Sequence, residues 1–141
     1  MNIGAAGSFI VRKPGPRDRF LVALRSRLPA GCHFVCCDGR DLLRLEAQNV
    51  LNAPSNTDAT TFVSFLESGR RARVSLPISI PSEHDCFVRV SSRMNRLVVG
   101  EYRRHLKTIG YLGQLDELFG TLVTTRSLTT VNALLRVLKE D

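Results

Sequence analysis

The chain has 141 residues, 43% of them hydrophobic, and a formal net charge of +7 from 20 basic and 13 acidic side chains. That length fits one domain and that apolar share excludes a disordered chain. No apolar run approaches the roughly 18–20 residues of a membrane-spanning helix.

Residues 1–16 are rich in glycine and proline and end in Lys13-Pro14-Gly15-Pro16. They read as a flexible arm, or as a short edge strand over Ser8 to Arg12. Their first positive charge, Arg12, follows the apolar residues instead of preceding them. That is the reverse of an export signal, so a cytoplasmic chain with reduced cysteines is expected. Residues 17–28 predict a helix, with Phe20, Leu21, Leu24 and Leu28 on one face and Arg17, Arg25 and Arg27 away from it. Pro29 and Gly31 stop that helix, and Cys32–Cys37 reads as a buried strand. Asp38 is placed to cap the next helix, with Asp41 as a weak reciprocal partner and Leu42, Leu43, Leu45, Val50 and Leu51 as its apolar face.

The middle of the chain predicts strands. Thr61–Glu67 is rich in β formers, and Ser68-Gly69 makes a turn. Arg70–Ile80 alternates, with Ala72, Val74, Leu76, Ile78 and Ile80 on one side and Arg71, Arg73, Ser75 and Ser79 on the other. Pro77 makes this an edge strand or ends it early. Cys86–Ser92 follows with Val88 and Val90 inward and Arg89 outward. A turn at Met94-Asn95 leads into Arg96–Val99, which closes a hairpin. The tail predicts helices: Glu101–Ile109 with Tyr102, Leu106 and Ile109 on one face, Leu112–Phe119 closed by Gly120, and a last helix from Ser127 to about Lys139.

These elements define an α+β fold in a single domain over residues 17–141, a helix and sheet core to residue 100 and a helical tail from 101. The expected sheet has about four mostly antiparallel strands, with the N-terminal helices on one face and an arginine-bearing face left partly open. The stripe Leu128, Val131, Leu135 and Leu138 is read as core, with a homodimer seam as the alternative.

Arginine outnumbers lysine 17 to 3, and the planar, permanently charged guanidinium suits phosphates and carboxylates. Residues 1–50 carry eight basic and four acidic side chains, residues 51–100 six and four, and residues 101–141 six and five. The sharpest local excess is Arg89, Arg93, Arg96, Arg103, Arg104 and Lys107 against Glu101 alone. With Arg71, Arg73 and the stacking candidate Tyr102, these form the expected binding face for DNA or RNA. The alternative partner is a protein with an acidic surface, met by a chain that acts as an inhibitor or adaptor.

Cys32, Cys36, His84 and Cys86 are the weaker candidates for a metal site, against plain core packing of the thiols. No phosphate-binding glycine motif, nucleophile elbow or zinc-protease motif occurs, so no cofactor and no catalysis are expected. Cys36 or Cys37 with His84 and Asp85 can be drawn as a nucleophile and base, but nothing in the spacing demands it.

Leu115-Asp-Glu-Leu-Phe-Gly120 followed by Arg126–Lys139 resembles the later helices of phage-repressor-type helix-turn-helix proteins, over less than a fifth of the chain. Only Thr121 to Thr125 lie between the two segments, too few for a recognition helix, so no DNA-reading residue is taken from the resemblance.

Overall fold

The computed structural model describes residues 1–4, 7–69 and 74–140. The chain divides into two units, Met1–Phe34 and Val35–Asp141.

In the first unit, β1 (Asn2–Ile3) and β2 (Ser8–Phe9) pair as a two-stranded antiparallel ladder inside the segment expected as an arm. Helix α1 spans Arg17–Arg27 and buries none of its residues. Its expected apolar face is only half-buried, and Arg17, expected away from that face, stands three before Phe20 and four before Leu21 and so lies on the same side of the helix. The expected strand over Cys32–Cys37 does not form: the segment is irregular, Cys32 is exposed, and Cys36 and Cys37 are half-buried.

The second unit is built on a five-stranded antiparallel sheet in the order β4-β5-β6-β3-β7. The strands are β3 (Ala59–Leu66), β4 (Ile78–Pro81), β5 (Cys86–Met94), β6 (Leu97–Arg103) and β7 (Val123–Ser127). The fold is therefore α+β as expected, with one strand more than the sequence suggested. The added strand is β7, whose threonines and valine pair along β3, with Ser64 Oγ and Thr125 Oγ1 sharing a 2.7 Å hydrogen bond. β7 also fills the interval in which the resemblance to helix-turn-helix proteins would require a recognition helix.

Strand β4 covers only the end of the expected Arg70–Ile80 strand, and Arg70–Arg73 lie outside the described residues. Val74 and Leu76 precede the strand but still pack on the core beside Ile78 and Ile80, so the alternation marks burial even where no ladder forms. The β5–β6 hairpin turns at Asn95-Arg96, one residue later than expected.

The largest correction concerns Glu101–Ile109. Its first three residues continue β6 as a strand, because β3 and β5 pair with β6 on both sides through Tyr102. Backbone hydrogen bonds to two neighbours outweigh a helical pattern in one segment. Helix α3 starts only at Thr108 and runs to Gly113, and α4 covers Leu115–Phe119. Gly120 ends α4 as expected, in the left-handed conformation (φ +64°) that a residue without a Cβ adopts readily.

Helices cover both faces of the sheet. On one face Phe62, Leu66, Val88, Val90 and Val98 pack against Leu115 and Phe119 of α4 and Tyr111 of α3. The alternate residues Val63, Leu97 and Val99 are also buried, and α2 (Gly39–Ala47) and α5 (Leu128–Lys139) lie against β6 and β3. The expected open sheet face is therefore closed over its centre. Asp38 caps α2 by accepting the Arg40 N–H at 2.9 Å, whereas Asp41 pairs with Arg44 at 3.2 Å instead of closing a capping box. The helix stops at Ala47, so Val50 and Leu51 fall beyond it. In α5, Val131, Leu134 and Leu135 are buried within the chain, and of the proposed seam only Leu128 and Leu138 remain half-exposed. Lys139 ties α5 to Glu46 of α2 at 2.7 Å. Among the described residues no helix is long and apolar enough to cross a membrane.

Candidate nucleic-acid interface

The basic residues of the β5–β6 hairpin fall into two groups. At its base, Arg89 stands opposite Glu101 across the ladder. Its Nη1 donates to Ser79 Oγ at 2.8 Å and to Glu83 Oε2 at 3.3 Å. Glu101 in turn accepts from the backbone N–H and the hydroxyl of Ser55 at 2.9 and 2.8 Å. Both charges are thus engaged within the chain.

Arg103 differs. Its guanidinium lies 4.6 Å above the ring of Phe87, which is itself buried and packed against Tyr111 and His105 with ring centroids 5.2 and 5.1 Å away. A planar cation on an aromatic face is held in orientation while its N–H donors stay available. The backbone beneath is fixed as well. The Thr108 hydroxyl donates to the Arg103 carbonyl, and the Arg104 N–H donates to the Asp58 carbonyl at 2.9 Å. Arg104 Nε donates to Thr60 Oγ1 at 3.1 Å, and the Lys107 N–H donates to His105 Nδ1 at 3.1 Å. Arg103, Arg104 and Lys107 are exposed, and among the described residues none of them pairs with a carboxylate. A cleft of about 480 Å³ opens beside them, lined by Ser55, Asp58, Arg89, Glu101 and Arg103 among others.

At the hairpin tip, Arg93 Nε donates to the Asn95 carbonyl at 2.9 Å, and its guanidinium lies 5.5 Å over Phe119. Arg96 is half-buried in the turn. Arg93 is on the face covered by α4, opposite to Arg89, so these two members of the expected binding face lie on different sides of the sheet. Tyr102 is half-buried with its ring stacked on Phe62 at 5.9 Å, and it also lines the cleft beside Arg103. Arg71 and Arg73 lie outside the described residues.

The cysteine and histidine candidates do not assemble. Among the described residues no three His, Cys, Asp or Glu side chains are grouped to hold a metal ion. None of the four cysteines is in a disulfide. His84 is exposed in the bend before β5 and makes no hydrogen bond among the described residues, so the drawn arrangement with Cys36 or Cys37 lacks its central contact.

Two features escaped the sequence reading. The first unit carries Arg12, Lys13, Arg17, Arg19, Arg25 and Arg27 against Asp18 alone, so five of the formal +7 charges belong to it. Counting charge by fixed blocks hid that concentration. The second is the pair Leu106 and Ile109, expected with Tyr102 on one face of a helix but 93% and 78% exposed. The visible signal was the run from Tyr102 to Leu115, which contains three cations and no acidic residue.

No protein-family model matches the chain, and neither a curated protein nor a solved structure is significantly similar to it. Its class therefore rests on the fold alone: an α+β chain whose antiparallel sheet is flanked by helices on both faces.

Proposed function

We propose that this chain is a small, non-catalytic nucleic-acid-binding protein of a regulatory kind. The corner from Arg103 to Lys107 supplies its main phosphate contacts. The observation that carries this reading is the Arg103 guanidinium, stacked on Phe87 and flanked by the exposed Arg104 and Lys107, none of the three paired with a carboxylate among the described residues. Such cations release condensed counterions when they meet a phosphate backbone, and the fixed guanidinium loses little freedom in binding. The basic first unit adds to the attraction for a polyanion. Four cysteines outside disulfides support a reducing, cytoplasmic setting.

Fluorescence anisotropy with labelled duplex and single-stranded probes across a salt series tests the proposal. Sub-micromolar binding with a steep salt slope, weakened and made less salt-dependent when Arg103, Arg104 and Lys107 are changed together to Ser, is expected. Binding that is equally weak for every probe and gone at physiological salt would overturn it and direct attention to an acidic protein surface.

A further inference from the structure

We infer that Leu106, together with Ile109, is an apolar wedge that enters between base pairs of duplex DNA while Arg103, Arg104 and Lys107 hold the flanking phosphates. The inference rests on the nucleic-acid reading and deepens it by assigning the form of the ligand and the mode of contact.

The first support is exposure without need. Leu106 is 93% and Ile109 78% exposed, while the nearby Leu115 and Phe119 are buried. An apolar pair left in water costs solubility unless a partner covers it. The second is rigidity. The turn that carries Leu106 is held by the Thr108 hydroxyl on the Arg103 carbonyl, by the Thr108 N–H on the His105 carbonyl at 3.1 Å, and by the Arg104 N–H on the Asp58 carbonyl. Leu106 is therefore presented on a fixed turn. The third is charge. Lys107 adjoins Leu106, Arg104 and Arg103 stand two and three residues before it, and none of the three is neutralised among the described residues.

An apolar tip between exposed cations matches a ligand with apolar base faces inside and phosphates outside. Leu and Ile are among the side chains that architectural proteins insert at base steps, where unstacking costs a few kcal/mol and is offset by added backbone contacts. A membrane surface fits less well: two aliphatic side chains bury far less than a single acyl chain, which by itself anchors only marginally.

The test uses the full-length protein and an end-labelled duplex of about 20 base pairs with several TA steps, which unstack most easily. A 2-aminopurine reports unstacking, and energy transfer between the ends reports bending. The wild-type protein is expected to raise both signals. Leu106→Ser with Ile109→Ser is expected to keep the salt slope, to lose affinity by no more than about tenfold and to abolish both signals. Both residues are exposed, so the variant keeps its fold, which circular dichroism checks. Wild-type binding without either signal, or a double variant that bends the duplex as the wild type does, overturns the wedge and leaves the nucleic-acid reading standing. A wild-type protein that binds no duplex overturns the wedge, and one that binds neither duplex nor single-stranded probes overturns both. Binding to phosphatidylserine vesicles or to polyglutamate that depends on Leu106, with no response from the duplex, also overturns the wedge.

Discussion

Arg89 and Arg93, four residues apart on β5, project from opposite faces of the sheet. Arg89 pairs with Glu101 and Arg93 with Val98, and the register shifts between Val90 and Ser92. Ser91 is the extra residue of a β-bulge, and its hydroxyl donates to the Val99 carbonyl at 3.0 Å. In a regular strand the two arginines would share a face. The bulge sends Arg93 onto Phe119 and leaves Arg89 with Ser79 and Glu83.

The first prediction follows from that split. Changing Arg103, Arg104 and Lys107 to Ser should lower the slope of log K against log salt by about 2–3, close to 0.9 for each lost phosphate contact. Arg93→Ser should leave nucleic-acid affinity nearly unchanged. It should instead lower stability by about 0.5–1 kcal/mol through the lost contact with Phe119. Salt-series anisotropy and urea unfolding of the same proteins separate the two effects.

Arg103→Lys keeps the charge and gives up the planar fork over Phe87. Its expected signature is a several-fold loss of affinity with an unchanged salt slope, because the number of neutralised phosphates stays the same while the preorganised geometry is lost. A lysine variant that binds as the wild type does would show that charge alone operates at this corner.

Gly100 stands where a Cβ would come within 2.7 Å of Phe62 Cζ and collide with the Arg89 carbonyl. Phe62 is fully buried and cannot move aside cheaply. Gly100→Ala is therefore expected to cost about 1–3 kcal/mol, read as a lower urea midpoint with an unchanged m-value.

Asp38 is held at a pKa of about 2, below its ordinary 3.8, first by the side-chain hydrogen bond from Arg40, then by the Arg40 backbone N–H. A carboxylate with a depressed folded-state pKa stabilises the fold above its unfolded value, and that contribution fades as pH falls from about 4 towards 2. The side chain is 46% exposed, so solvent screens the ion pair and most of the effect belongs to the helix cap. Asp38→Ala should cost about 1 kcal/mol at neutral pH, and Asp38→Asn, which still caps, less than half of that. The difference between wild type and the alanine variant should shrink as urea midpoints are followed below pH 4.

The α5 stripe gives a stability prediction with a second readout. Leu135 is 3% exposed within one copy of the chain, so Leu135→Ala should lower stability by about 2–5 kcal/mol. If the stripe also joined two copies, that loss would grow on dilution. Unfolding at two protein concentrations is expected to give the same midpoint.

Much of the architecture was legible in the residues alone. Val88, Val90 and Ile80 are buried and Ile78 packs half-buried beside them as their alternation requires, Gly120 stops α4, and Val131 and Leu135 face the core as their spacing dictates. Each of these follows from a local period or a single residue's conformational freedom, and neighbours in sequence suffice to read it. Other outcomes depended on strands distant in the chain. Whether Tyr102 and Arg103 were helix or strand was decided by β3 and β5 pairing on both sides of β6. Whether Arg89 and Arg93 shared a face was decided by one unpaired residue, Ser91, which only the register against β6 reveals. The run Cys32–Cys37 had the composition of a strand but found no ladder to join. The corner from Arg103 to Lys107 shows both sources: its cations and its lack of acids were plain in the sequence, while the stacking of Arg103 on Phe87 and the exposure of Leu106 arose only when the end of β6 was fixed against Asp58 and Thr108. Side-chain period is a local property, but register and face are set by hydrogen bonds between segments far apart in sequence, and those exist only in the folded chain.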